Sequence, residues 1–464
     1  MVVRHKEKVL LLNPPGDRLY LRDSYCPNIA KGNYYWPPID LLIQSGVLKE
    51  YFQVEVLDAI VTKMLHEDCN NKIINGNYKA LFSLTSSPSW KQDFTFLAKI
   101  KKNINIKIIC GGDIFLDNPT KMLGEYSFLD AILLDFNSDV IPKYLNGETE
   151  LYDIVYRKNG EIINAPYKKL KHYKIPVPQH ELFPLNKYKS PHGKRRPFTV
   201  VITSFSCPFS CNFCVSNSLK YKERDIENVV SELKHIVSLK IKEVWFFDMT
   251  FCVNKSRVLQ LCNRILEEQL DLTWICMTRV DTIDDEMLSL MKKAGCHTIM
   301  FGIESGNDNI LMKSLKGFTK KQAIEAFNLC NKYRIRNMAH FIIGLPGETE
   351  ETILETIEFS KKLKCDYATF NVAMPFMGSN LRKEAIEKKW ISPEVINMDT
   401  SFGDPIFETP QLTKDTLRKL NKFAVRQFYF RTSYFLQTIA KIRSIYDIRN
   451  IVNQFFSLLN NYYW

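Results

Sequence analysis

Residues 198–214 read Phe198-Thr-Val-Val-Ile-Thr203-Ser-Phe-Ser-Cys207-Pro-Phe-Ser-Cys211-Asn-Phe-Cys214. A short apolar, β-branched run, the signature of a buried strand, leads directly into a loop with three cysteines. Three thiolates that close together, on a loop free to curl, can bind three corners of a cubane iron–sulfur cluster. Ordinary clusters take four cysteines, and the next one here is Cys252. One iron would then keep an open position for a small molecule, as catalytic metals require. Structural zinc, which needs four closed ligands, and inert buried thiols are the alternatives.

Outward from this stretch the chain alternates regularly. Strand-like runs at Thr199–Thr203, Glu243–Phe247, Leu272–Met277, Thr298–Ile303, Asn337–Ile343 and Tyr367–Ala373 are separated by helical periodicity. The helical stretches lie near Ile226–Leu239, Ser256–Glu268, Asp284–Ala294, Lys320–Tyr333 and Glu350–Leu363. So regular a repeat fits a partial parallel barrel, spanning 198–390, better than a flat sheet, and places chemistry at the C-terminal strand ends. Upstream, runs at Lys8–Asn13, Val54–Leu57, Ala80–Leu84, Ile106–Cys110 and Ala131–Leu134 imply a doubly wound α/β domain over 1–148. Residues 149–197 read as a connector, broken by Pro166, Pro176, Pro178, Pro184, Pro191 and Pro197; Lys194-Arg195-Arg196 there reads as a solvated loop.

The tail, 391–464, reads as helical. From Thr413 it interleaves Lys414, Arg418, Lys419, Lys422, Arg426 and Arg431 with Phe423, Phe428, Tyr429, Phe430 and Tyr434. A helix packed on the barrel is the plain expectation; a surface that contacts membrane or an amphiphilic substrate is the sharper one.

The whole composition agrees. At 464 residues, 45% hydrophobic and 25% charged, the chain is globular with two or three domains rather than disordered. The net charge of +12 allows several anionic partners and selects none. The 12 cysteines are mostly isolated, unlike a secreted disulfide framework. Met1–Lys8 is charged and Val9–Leu12 is too short for a signal peptide, and no apolar run approaches the roughly 20 residues of a membrane span. A cytoplasmic protein is expected.

The cysteine spacing, with Phe213 before the third thiol, resembles the radical SAM superfamily. The resemblance covers roughly 198–380. It implies a [4Fe-4S] cluster on Cys207, Cys211 and Cys214, with S-adenosylmethionine (SAM) on its open iron. Phe213 belongs to that cofactor site by the same resemblance. Asp248, in Val-Trp-Phe-Phe-Asp248-Met249, is similar to the family's site for the methionine amino group, although the usual glycine pair is absent. Arg279, and Glu304-Ser305 within Gly302-Ile-Glu304-Ser305-Gly306, resemble positions that contact the carboxylate and ribose. Gly344, in Ile342-Ile-Gly344-Leu-Pro346-Gly347-Glu348, resembles the adenine-side motif. The ligand's chemistry fits such a set: an ammonium seeks an anion, a carboxylate a guanidinium, and ribose hydroxyls need acceptors. Asn371–Ser379 resembles the family's closing motif and reads as a substrate-side loop.

The first domain resembles the cobalamin-binding domain that precedes many radical SAM barrels. Leu12-Asn13-Pro14-Pro15, Trp36-Pro37-Pro38-Ile39-Asp40-Leu41-Leu42, Val54–Ala59, Ser83–Ser86 and Gly111-Gly112 carry the likeness. Ser83, Ser86, Gly111 and Gly112, at strand ends, are the candidate cobalamin contacts. No Asp-x-His-x-x-Gly stands there, so no protein histidine is expected below the cobalt. Two departures, Asp135-Phe136-Asn137-Ser138 after the fifth strand and Asp113 after the glycine pair, leave a scaffold domain as the alternative to cobalamin binding.

The resemblance implies an enzyme that cleaves SAM reductively to a 5′-deoxyadenosyl radical, with cobalamin-dependent methylation of an unactivated carbon as its leading activity. A cobalamin-free rearrangement, cyclisation or oxidation is the alternative, and a non-enzymatic iron–sulfur interaction module is a third class. The partners implied are a small-molecule or natural-product substrate and an external electron donor such as flavodoxin or ferredoxin. No nucleic acid is expected.

Overall fold

The computed structural model describes residues 6–24, 27–30, 34–399, 404–440 and 452. Two parallel sheets organise them. The first contains β1 (Lys8–Asn13), β2 (Gln53–Asp58), β3 (Ala80–Leu84), β4 (Lys107–Gly111) and β5 (Ala131–Leu133), then a hairpin, β6 (Ile154–Lys158) and β7 (Glu161–Asn164). Their order is β2-β1-β3-β4-β5-β6-β7, with β1 to β5 parallel and the hairpin antiparallel. This is doubly wound. Leu10 and Leu12 face one layer with α2 (Trp90–Asn103), and Val9 and Leu11 face the other with α1 (Ile39–Lys49).

The hairpin corrects the expectation for 149–197, since that segment is no mere connector. Residues 154–164 extend the first sheet, because Val155 and Tyr156 are apolar and buried while Asn159-Gly160 supplies a tight turn with both residues at positive φ. The prolines interrupt regular structure only beyond Asn164.

The second sheet holds β8 (Phe198–Val201), β9 (Glu243–Phe246), β10 (Thr273–Thr278), β11 (Cys296–Glu304), β12 (Arg336–Ile343) and β13 (Tyr367–Val372), all parallel and in sequential order. The five crossovers contain α3 (Ile226–Ser238), α4 (Lys255–Glu267), α5 (Asp285–Lys293), α6 (Lys320–Lys332) and α7 (Glu350–Lys362). Each begins at a side-chain cap: Asp225, Asn254, Asp284, Thr319 or Thr349 accepts from a first-turn N–H. A partial barrel results, as the alternation requires.

Strand alternation divides the aromatic residues. Phe246, Trp274, Phe301, Phe341 and Phe370 point outward into the core beneath the helices. Trp245 points inward and packs with Trp36 and Phe247 at 5.0 and 4.7 Å between ring centroids. Further up, the inward positions Met277, Gly302, His340, Ile342, Thr369 and Asn371 stay partly exposed. A closed barrel fills its interior with side chains; here the upper interior is open.

The tail packs as a helix, α8 (Lys414–Tyr429). Leu417, Ala424, Val425 and Phe428 are buried against the barrel, and the Asn421 amide donates to the Phe370 carbonyl. Of the C-terminal region, 441–464 lies outside the described residues except for 452. Among the described residues no helix is long and apolar enough to cross a membrane.

Candidate functional site

The cysteine loop leaves the C-terminal end of β8, and its base is held by Asp248. That carboxylate, buried beyond β9, accepts from the Thr203 backbone N–H at 2.6 Å, the Thr203 hydroxyl and the Ser204 hydroxyl. Burial raises the Asp248 pKa, against the pull of these donors. Asp248 therefore already has its partners and anchors the loop. Ser206 then turns the chain at a φ of 64°. The Asn217 amide donates to the Cys211 and Cys214 carbonyls at 2.9 and 3.1 Å, holding the coil closed.

Cys207, Cys211 and Cys214 are free thiols, and the Cys207 sulfur lies 3.2 Å from the Thr250 hydroxyl. Among the described residues no three histidine, cysteine or acidic groups converge as they would around one ion. A mononuclear zinc site needs that convergence; a cubane, with a separate iron at each corner, keeps its thiolates apart. Burial pushes Cys214 up to about 11 and raises Cys211, where Lys316 and Arg279 pull the other way. The donor set fits a cluster that takes up thiolates beside cations.

One of those cations, Arg279, stands at a strand end, and the other, Lys316, in the loop after the short helix that follows β11. Arg279, just past β10, places Nη1 3.7 Å from the Cys211 sulfur, stacks its guanidinium 3.9 Å from the centre of Phe209, and pairs with Asp281 at 2.7 Å. Glu304 ends β11 and pairs with Lys316 at 2.8 Å, both nearly buried. Burial disfavours the ammonium, but Glu304 and Cys211 together outweigh it and hold Lys316 above its usual pKa. Lys316 also lies 5.9 Å from the centre of the Phe213 ring.

Ser305 is tied to Thr356, 3.2 Å between hydroxyls, and accepts from the Asn307 N–H. Gly344 stands at a φ of 90°, and its N–H and that of Leu345 donate to buried Glu348. Burial raises Glu348 to about 8, and one of its oxygens has no partner. The expected substrate-side loop closes against the first domain: the Gly378 N–H and Arg382 both donate to Asp117.

In the first domain a cleft opens at the C-terminal strand edge. Gly111, Gly112, Leu133 and Phe136 line it together with Phe205 and Leu219, and it opens to solvent. Gly112 has a φ of 147°, and a Cβ there would meet the Thr85 carbonyl oxygen at 2.0 Å. Ser83 and Ser86 do not line the cleft; they lie buried behind it, bonded to the Leu84 carbonyl and the Ser89 hydroxyl. Asp40 lines it with one carboxylate oxygen unpartnered, and Asp113 next to Gly112 also has an unpartnered oxygen. Burial raises both to about 7.

Sequence reasoning missed Lys316, Phe209 and Asp40 as site residues. Phe209 lay inside the quoted triplet, whereas nothing around Lys316 marks it.

The Radical SAM superfamily model matches residues 201–360. An uncharacterised methyltransferase of Pyrococcus horikoshii is 33% identical over 418 residues, 87% of this chain and 90% of that protein. Two solved structures share the fold at 16% identity. One is a radical SAM methyltransferase, TsrM, from Kitasatospora setae, solved with cobalamin and a [4Fe-4S] cluster (TM-score 0.67, 82% of this chain and 78% of that one). The other is the cobalamin-dependent SAM radical enzyme OxsB, solved with aqua-cobalamin and SAM (TM-score 0.71, 97% and 70%). With the cysteine loop, its cations and the parallel barrel in place, the chain belongs to the radical SAM superfamily.

Proposed function

We propose that this radical SAM enzyme is a cobalamin-dependent methyltransferase acting on an unactivated carbon of a small organic molecule. When bound, the reduced [4Fe-4S] cluster supplies the electron that cleaves SAM into methionine and the 5′-deoxyadenosyl radical, and cobalamin supplies a methyl carrier. Cys207, Cys211 and Cys214 hold the cluster, and Asp248 fixes their loop. Arg279, Glu304 and Gly344, with Phe213 and Ser305 behind them, form the SAM wall. The substrate occupies the open upper barrel, where Met277, His340 and Thr369 face inward.

One observation carries the cobalamin part. Phe205 and Leu219, which bracket the cysteine loop, share a cleft with Gly111 and Gly112. A ligand seated on the first sheet therefore faces the cluster loop. Unpartnered acceptors on Asp40 and Asp113 fit the amide N–H groups around a corrin ring, and Gly112 permits close backbone approach. The methyltransferase name of the Pyrococcus relative and the cofactors in the two solved structures support the same reading.

The electron arrives from an external donor such as flavodoxin or ferredoxin, a role suited to the chain's net charge of +12. The exposed face of α8, with Lys419, Phe423 and Arg426, supports peripheral membrane contact. Purification with iron, sulfide and hydroxocobalamin under anaerobic conditions tests the assignment. One corrinoid per chain surviving gel filtration is expected; a protein that still cleaves SAM but holds no stoichiometric corrinoid would leave the first domain a scaffold.

A further inference from the structure

The Glu304–Lys316 pair is built at some local cost. The β11–β12 register shifts between Gly302 and Glu304, and Glu304 sits at a φ of 69°. Bulges and left-handed non-glycine residues are sparsely populated and cluster at functional sites. Gly302 completes the arrangement: a Cβ there would lie 2.4 Å from the Glu304 carboxylate and 3.0 Å from the Lys316 ammonium. A bulge, a left-handed backbone and a missing side chain together fold the carboxylate back over the strand.

This places charge in a fixed order. Arg279 turns Nη1 toward the Cys211 sulfur, while its Nε and Nη2 face Asp281. Lys316 lies among Phe213, Phe318 and Glu304, and its carbonyl accepts from Arg279. Arg279 thus stands at the Cys211 thiol, Lys316 stands by the ring of Phe213, next to Cys214, and each cation has its carboxylate alongside. An ordinary buried ion pair adds little stability over apolar packing, so stability alone does not account for the arrangement.

We propose that the Glu304–Lys316 pair is a positioning device that sets the reduction potential of the cluster through its field at the cysteine loop. The inference rests on the cluster assignment above. Cluster potentials follow local charge and burial, and charges in a buried site interact strongly. Reduction adds one electron to an anionic cluster, so a nearby cation favours the reduced state and an uncompensated carboxylate opposes it.

The test is an EPR-monitored redox titration of the reconstituted holoenzyme without SAM. Lys316→Met leaves Glu304 uncompensated and is expected to shift the midpoint to more negative potential. Glu304→Gln leaves the ammonium uncompensated and is expected to shift it to more positive potential. The double variant, which removes both charges, is expected to return close to wild type, and Lys316→Arg to stay there. Single variants that shift in the same direction, or a double variant further from wild type than either single, overturn the proposal and leave a structural ion pair. A wild-type chain with no reducible four-iron signal would instead overturn the cluster assignment itself.

Discussion

The molecule holds two groups of cysteines that differ in surroundings rather than in burial alone. Cys207, Cys211 and Cys214 lie on a loop at a strand's C-terminal end, next to Arg279 and Lys316. Cys252, Cys262, Cys276, Cys296 and Cys330 lie in the outer core, between the strands and their helices. There burial pushes Cys262, Cys276 and Cys330 well above the ordinary thiol range, and neighbouring thiols add to the effect with no cation to oppose it. A buried thiol without a counter-charge behaves as a small apolar side chain. Thiols on a loop beside cations can serve as ligands.

The largest expected effect separates the two groups directly. Cys211→Ala should lose the cluster and yield no 5′-deoxyadenosine above background under reducing conditions. Cys276→Ala should keep both and lose about 1–2 kcal/mol of stability to the cavity it leaves. Iron analysis, product chromatography and denaturant unfolding read the three quantities. Loss of iron in the core variant would erase the distinction.

Next comes the anchor. Asp248→Ala frees Thr203 and Ser204 and loosens the loop without removing a ligand. Groups that orient metal ligands typically contribute 10–100-fold to retention or activity, so iron should leave this variant about that much faster in a chelator challenge. An unchanged rate would show that the loop holds its shape alone. Gly344→Ala should be milder: a side chain at a φ of 90°, with Leu417 at 2.8 Å, costs about 1–2 kcal/mol. Weaker SAM binding by calorimetry should accompany that loss.

The smallest effect extends the comparison to a carboxylate. Asp40, like the core thiols, is buried without a cation, and it titrates near 7 instead of near 4. The folded chain holds that proton more tightly than the unfolded one. Its contribution is complete below about pH 4 and is lost as pH rises through about 7. Asp40→Asn removes this dependence, so its melting-temperature advantage over wild type should grow between pH 5 and pH 8. A constant difference would place Asp40 in contact with water or with a cation.

Much of this was legible in the sequence. Periodicity located both parallel sheets, because each strand is an apolar run bounded by turn residues, and in the barrel each crossover helix begins at a side-chain cap. The cysteine loop declared itself because its ligands are adjacent in the chain. The hairpin at 154–164 did not, since surrounding prolines masked two short strands whose pairing is tertiary. Lys316 was invisible for a related reason: its partner Glu304 is local, but its place beside the cysteine loop depends on how β8 and β11 lie in the barrel. Asp248 was found but given a different role, because spacing cannot reveal that Thr203 and Ser204 already occupy its carboxylate.

EPR spectroscopy of the reduced, reconstituted chain before and after SAM addition tests the central claim most directly. The account predicts four irons per chain and a spectrum that changes when SAM binds, because three cysteines leave one iron open. A four-iron signal indifferent to SAM, or stoichiometric zinc in place of iron, would contradict it.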